Sequence, residues 1–204
     1  MSKPRYRRRK EDRPREITEA AYQAFAEKGY AATRVEEVAK RAGVSKGLMY
    51  LYFKTKEDLF KAVIRRVVVP RVDSLMTQSA KTDLSAEEFL RGPFTAFLKK
   101  LPGSPVSVVV RLMVSEGWRY PELVEFYWDN VISRGLESVR GLVERGIAVG
   151  EFSRSPVSEH PQLFIAPAIM AVLWKLVFDA HPLDSDRLID TQIELLLGQL
   201  KSEA

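Results

Sequence analysis

The 204-residue sequence predicts an all-α fold: an N-terminal three-helix helix-turn-helix domain followed by a helical body. Three observations carry this. Residues 33–53 hold two short helix-length segments on either side of Gly43, each opened by a capping residue. Apolar residues recur at intervals of three and four through most of the chain, the period of a buried helical face. No convincing strand pattern and no internal repeat appears.

The elements follow in order. Residues 1–13, centred on Arg5-Tyr6-Arg7-Arg8-Arg9-Lys10, are expected to form a flexible basic arm. A helix is expected from about Pro14, which suits a first turn, to Lys28, with Ile17, Ala21, Ala24 and Phe25 buried and Gly29 as its stop. Thr33-Arg34-Val35-Glu36 fits a capping box: the Thr33 hydroxyl accepts from a backbone N–H, and Glu36 reaches back. Val35, Val38, Ala39 and Ala42 form a narrow stripe of small residues that lets a second helix pack close. Gly43 supplies the left-handed residue that ends this helix, and Ser45 caps the next. Met49 and Phe53 point inward. Lys46, Gly47, Tyr50 and Leu51 lie outward, with Tyr52 near the edge. Thr55 is the cap of a helix from Lys56 whose apolar face is Leu59, Phe60, Val63, Ile64 and Val67. Pro70 then interrupts the pattern and predicts a kink or break. The expected domains are therefore a basic arm (1–13), a helix-turn-helix head (14–66) and a body (67–204).

In the body, Ser85-Ala86-Glu87-Glu88 is a second capping box, and Pro93 should disturb the helix it opens. Leu101-Pro102-Gly103 is a turn. Further helices are expected from Pro105 to about Trp118, from Pro121 to Val149 with Gly150 as the stop, from Pro161 to Asp179 and from Asp186 to Lys201.

The net charge of +5 is unevenly spread. Residues 1–15 hold eight Lys/Arg against two acids, residues 16–66 ten against seven, and residues 67–204 fourteen against eighteen. A basic first third on an acidic remainder suits a nucleic-acid-binding head on a body that polyanions do not attract. The chain has no cysteine, which excludes disulfides and thiol chemistry and fits a cytoplasmic protein. No apolar run of bilayer length and no signal peptide is read in it. Its only histidines, His160 and His181, each precede a proline and suit turns or caps. No phosphate loop, dinucleotide fingerprint or zinc motif occurs, so no enzyme activity, metal or cofactor is expected.

Three segments, Ala32 to Ala39, Ala42 to Gly47 and Met49 to Phe60, with Tyr50-Leu51-Tyr52-Phe53-Lys54-Thr55-Lys56 directly after the turn, resemble the TetR family of bacterial transcriptional regulators. The resemblance runs from about Glu16 to Phe60. It implies a dimeric, cytoplasmic repressor released from a palindromic operator by a small molecule held in the C-terminal domain. The alternative is a DNA binder without an inducer, corepressor-dependent or nucleoid-associated. The candidate DNA-binding residues are Thr33, Arg34, Ser45, Lys46, Gly47, Leu48, Tyr50, Leu51, Tyr52, Lys54 and Lys56. Lys46, Tyr50 and Leu51 suit base edges or nearby phosphates. Thr33, Arg34, Tyr52, Lys54 and Lys56 suit phosphates alone. Position 48 is usually small and polar in the family. Leu48 points instead to apolar contact, for example with a thymine methyl.

The resemblance also implies a ligand cavity in the body, for which Phe94, Phe97, Arg111, Met113, Glu116, Trp118, Phe126, Tyr127 and Asn130 are candidates. These side chains supply apolar walls and a few polar groups, the usual make-up of a small-molecule site; aromatics at helical spacing equally suit plain core. The effector they suit is partly apolar. Ile169, Leu173, Leu176 and Val177, with Ile189, Ile193, Leu196 and Leu200, form two apolar faces that suit a four-helix dimer interface or internal core.

Overall fold

The computed structural model describes the backbone of residues 5–201, with side chains from residue 12 onward. Every regular element among the described residues is helical. Helix α1 (Arg5–Ala32) is broken at Gly29, whose φ of 81° and ψ of 173° suit no other residue. Its backbone is already helical from Arg5 and passes through Pro14, so the arm expected over 1–13 is helical from Arg5 onward. Arg, Lys and Glu are good helix formers, and the segment lacks glycine and β-branched residues. Residues 1–4 lie outside the described residues, as do the side chains of 5–11.

Two compact units result. The first comprises residues 1–68 and 112–126, the second residues 69–111 and 127–204. The expected cut near residue 67 is therefore incomplete, because residues 112–126 belong to the first unit. In that unit α1 packs on α2 (Val35–Arg41) and α4 (Lys56–Val67), and α2 packs on α3 (Lys46–Tyr52). The core holds Ile17, Phe25, Val38, Met49, Leu59, Phe60 and Ile64, all buried. Phe25, Tyr30 and Phe60 form a triangle of rings with centroids 5.3–5.5 Å apart, and Tyr120 stands edge-on to Tyr30 at 4.6 Å.

In the second unit, α5 (Val69–Lys81) begins with Pro70 in its first turn, where a proline's missing N–H has no partner to lose. The proline thus separates α4 from α5 and also starts a helix that its helix-breaking role had concealed. The segment Ala86–Lys100 is one helix with a π turn at Leu90–Phe94 around Pro93, giving α6 (Ala86–Phe89) and α7 (Thr95–Lys100). Next come α8 (Val106–Glu116), whose last residues belong to the first unit, and α9 (Pro121–Tyr127). A π turn over Trp128–Ile132 then leads into α10 (Ser133–Ala148). The chain ends with α11 (Pro156–Glu159), α12 (Gln162–Val177) and α13 (Ser185–Lys201). Helix α12 packs on α13, and α13 on α7. Glu151 accepts from the amides of Ala86 and Glu87 at 2.9 and 2.7 Å and so caps α6 from a distance in sequence.

Candidate nucleic-acid interface

The turn between α2 and α3 is built by backbone geometry. Gly43 has φ 64°. The Gly43 amide donates to the Lys40 carbonyl at 3.2 Å, and the Val44 amide to Ala39 at 3.0 Å. These paired bonds satisfy the last carbonyls of α2 and make the left-handed stop expected at Gly43. The Ser45 hydroxyl accepts from the Leu48 amide at 3.1 Å and opens α3. Thr55 and Asp58 cap α4 reciprocally: Asp58 N donates to the Thr55 hydroxyl at 3.0 Å, and Thr55 N to the Asp58 carboxylate at 3.1 Å. Such a box contributes about 1 kcal/mol.

Helix α3 is anchored by Met49, which is fully buried. Lys46, Gly47 and Leu51 are exposed, while Leu48, Tyr50, Tyr52 and Phe53 are half-buried. Arg34, Ser45 and Lys54 are also exposed. Most of the DNA-binding candidates are thus brought onto the accessible side of one helix-turn-helix.

Two candidates are placed elsewhere. Thr33 is only 2% exposed, and its hydroxyl donates to the Gly29 and Ala24 carbonyls at 2.7 and 3.2 Å. It ties α2 to the break in α1 and is not available to a phosphate. The α2 cap passes to Arg34, whose amide faces the Glu37 carboxylate at 3.5 Å, one residue later than the sequence pattern suggested. Lys56 Nζ donates to the carbonyls of Tyr30, Ala31 and Thr33 at 2.8, 3.1 and 3.2 Å and lies over the Tyr30 ring. Burial lowers its pKa, with Glu116 acting the other way. Lys56 therefore closes the end of α1 and is spent inside the protein.

The structure also shows pairings that the sequence did not single out. Glu36 pairs with Lys46 at 2.6 Å, which holds the Glu36 carboxyl below and the Lys46 ammonium above their usual ranges. Arg41 makes a two-pronged pair with Glu27. Glu116 accepts from the Tyr30 and Ala31 amides at 2.8 and 2.6 Å, the groups exposed by the break at Gly29. No local signal reveals these pairs, since each joins separate elements.

The nine ligand-binding candidates are distributed over both units. Met113, Glu116, Trp118 and Phe126 lie in the first unit; Phe94, Phe97, Arg111, Tyr127 and Asn130 lie in the second. Glu116 is the amide clamp just described. Phe126 lies beneath Lys61 and Arg65, and Trp118, 72% exposed, lies beneath Arg119. Phe94 is core against Phe164. Phe97, Met113 and Asn130 are half-buried. Burial pushes the Tyr127 hydroxyl up to about 12, which keeps it neutral. Within the second unit, a groove of about 300 Å³ is lined by Val108, Val172 and Leu176 together with Arg111, Lys175 and Asp179. Of the nine, only Arg111 reaches it.

The dimer set divides as well. Ile189, Ile193, Leu196 and Leu200 are buried within the second unit, where α13 faces α12 and α7, so they are core. On α12, Ile169 and Leu173 are half-buried and Leu176 lines the groove, whereas Val177 is 65% exposed. Met170, Phe178 and, on α13, Leu195 are exposed apolar residues that the sequence pattern did not distinguish.

A buried-core head, a glycine turn and an accessible second helix flanked by cations define a helix-turn-helix DNA-binding protein. The comparisons agree. Residues 17–63 match the family model of bacterial regulatory proteins, tetR family. The fatty acid metabolism regulator protein of Bacillus subtilis (strain 168) is 28% identical over 198 residues, covering 95% of this chain and 100% of that one. The fatty acid degradation regulator FadR from Bacillus halodurans superposes with a TM-score of 0.75 at 25% identity over 100% of both chains. FadR from Bacillus subtilis, solved in complex with stearoyl-CoA, gives 0.74 at 24% identity over 91% and 98%. Residues 17–63 thus carry the DNA-binding domain that this family model describes, and the chain is a DNA-binding transcriptional regulator. No helix among the described residues is long and apolar enough to cross a membrane.

Proposed function

We propose that the chain is a cytoplasmic, homodimeric repressor that leaves a palindromic operator when a long-chain acyl thioester binds its second unit. The observation that carries the DNA half is α3: Met49 anchors it from behind while Lys46, Gly47 and Leu51 stay accessible in front. A short helix so presented fits the major groove. Dimerisation is supported by Met170 and Val177, seven residues apart and hence on one exposed face of α12, with Leu195 exposed on α13. A two-fold pair of heads matches two half-sites about one helical turn apart, roughly 34 Å.

The ligand half draws on kinship with a fatty acid metabolism regulator and on the stearoyl-CoA held by a structural relative. In this chain the groove offers apolar Val108, Val172 and Leu176 beside two cations, Arg111 and Lys175, and one acid, Asp179, a net positive lining that suits an apolar tail joined to an anionic head. The experiment is selection of bound sequences from random DNA, then titration of the protein–operator complex with stearoyl-CoA, free coenzyme A and free stearate. Release by the thioester and not by coenzyme A is expected. A discrete operator that no acyl thioester displaces would refute the ligand assignment and leave the DNA assignment standing.

A further inference from the structure

Two residues on α3 have no purpose inside the protein. Gly47 lies within the helix, where glycine is weaker than alanine. Its φ is not positive, and a Cβ built on it would meet nothing within 4 Å. Neither backbone conformation nor packing requires glycine there. Leu51 lies four residues on, on the same face, and is 72% exposed. Met49 faces the opposite way, into the core. The outward centre of α3 therefore combines a missing side chain with an apolar one held in water.

The flanks offer no side chain with two adjacent hydrogen-bonding groups free for a base, since Tyr50 and Tyr52 each carry a single hydroxyl. Lys46 is engaged by Glu36 at 2.6 Å, and Leu48 is apolar. A helix with this face cannot rely on bidentate side chains to distinguish bases. The major groove has one apolar feature that differs between bases, the 5-methyl group of thymine. We infer that Leu51 is a specificity-determining residue that reads thymine through this methyl group, and that Gly47 clears the space that lets α3 come close enough. The inference rests on the DNA-binding reading above. It makes the preferred base at one position in each half-site depend on apolar contact with no hydrogen bond.

Uracil tests this directly, because it keeps the pairing and the O4 acceptor of thymine and lacks only the methyl. With the full chain and its selected operator, each thymine is replaced by uracil in turn and binding is measured. One thymine in each half-site should be sensitive, by about fourfold, the factor that one buried methyl group carries. Leu51→Ala should bind the thymine operator more weakly and treat thymine and uracil alike there. Leu51→Met, which keeps an apolar tip, should restore the distinction. Gly47→Ala, which holds α3 further out, should weaken binding to the thymine operator and bring the thymine-to-uracil ratio toward one. Position 51 is exposed, so these variants are expected to melt with the parent, which a thermal scan verifies. Sensitivity at no thymine, or sensitivity that survives unchanged in Leu51→Ala, overturns the inference. A protein that selects no sequence overturns it together with the operator-binding reading, and uniform binding to all DNA identifies that case.

Discussion

Removing the Glu116 carboxylate should loosen the head at the break in α1. Gly29 leaves the helical path, so the amides of Tyr30 and Ala31 have no carbonyl one turn behind them. Glu116 takes both, at 2.8 and 2.6 Å. Hydrogen bonds to a charged group contribute about 1.5–3 kcal/mol, and a buried amide left unpaired costs about 1–3 kcal/mol. Ala31 is exposed, so water replaces the carboxylate there at little cost. Tyr30 is 5% exposed beneath the Phe25, Phe60 and Tyr120 rings, so its amide carries most of the penalty. Glu116→Ala should therefore lose about 2 kcal/mol, and Glu116→Gln, which keeps an acceptor oxygen, about 1 kcal/mol. Urea unfolding measures the totals, and amide hydrogen exchange locates them. Protection of the Tyr30 amide should fall by about thirtyfold in Glu116→Ala, the factor that 2 kcal/mol represents. Stability within about 0.5 kcal/mol of the parent, the range of an ordinary surface substitution, together with unchanged exchange, would refute the clamp.

Three further outcomes follow from the same geometry. Gly29→Ala should cost about 1–3 kcal/mol, since φ 81° strains any side chain and the new Cβ would lie 2.6 Å from the Glu116 carboxylate; the cost should shrink in a Glu116→Ala background, and strict additivity would count against the collision. Hydrogen bonds from Lys201 and Arg91 hold the Glu87 carboxyl below its usual range. Its folded pKa is the lower one, so its contribution is present above the unfolded value of about 4.3 and is lost as pH falls through the folded value. Glu87→Gln should thus cost up to about 1 kcal/mol at neutral pH and nothing in strong acid, a convergence that unfolding curves from pH 7 to 2 will show or exclude. Val177→Asp should leave the protomer folded and abolish a dimer in sedimentation, whereas Ile193→Ala should destabilise the protomer itself by about 2–5 kcal/mol. A folded Val177→Asp dimer would remove that face from the interface.

The head was legible because its signals are local. Ser45, Thr55, Asp58 and Gly43 each act within a few residues, so composition and spacing suffice to place α2, α3 and α4. The misplacements in the head come from competition at a distance. Thr33 has the right spacing to Glu36 for a capping box, yet the Gly29 and Ala24 carbonyls offer its hydroxyl better partners. Lys56 looks like a surface cation until three carbonyls at the end of α1 converge on it. In the body, periodicity found the apolar stripe Ile189, Ile193, Leu196, Leu200 but not what covers it, because a dry core and a subunit interface ask the same of a sequence. The ligand candidates share this ambiguity: aromatic richness reports burial, which a packed core and the wall of a cavity both require.

The ion pairs of the head bear on how it meets DNA. Lys28, Arg41, Lys46, Lys61 and Arg66 are each paired with a carboxylate, and Lys56 is held by carbonyls. A cation already neutralised nearby attracts a distant polyanion weakly, so the head contributes less long-range attraction than its residue count implies. The long-range attraction then falls to residues 1–15, with eight Lys/Arg against two acids. Each cation that neutralises a phosphate contributes about 0.9 to the slope of log affinity against log salt. Residues 1–10 hold six Lys/Arg and no acid. Their deletion should flatten that slope by as much as about 5 for each bound protomer and leave the preferred sequence in place, because α3 and its Leu51 are untouched. Binding titrations from low to moderate salt on the selected operator, with selection repeated on the truncated chain, measure both quantities. An unchanged slope with altered base preference would assign sequence reading to the basic segment and attraction to the head, the reverse of the division argued from these ion pairs.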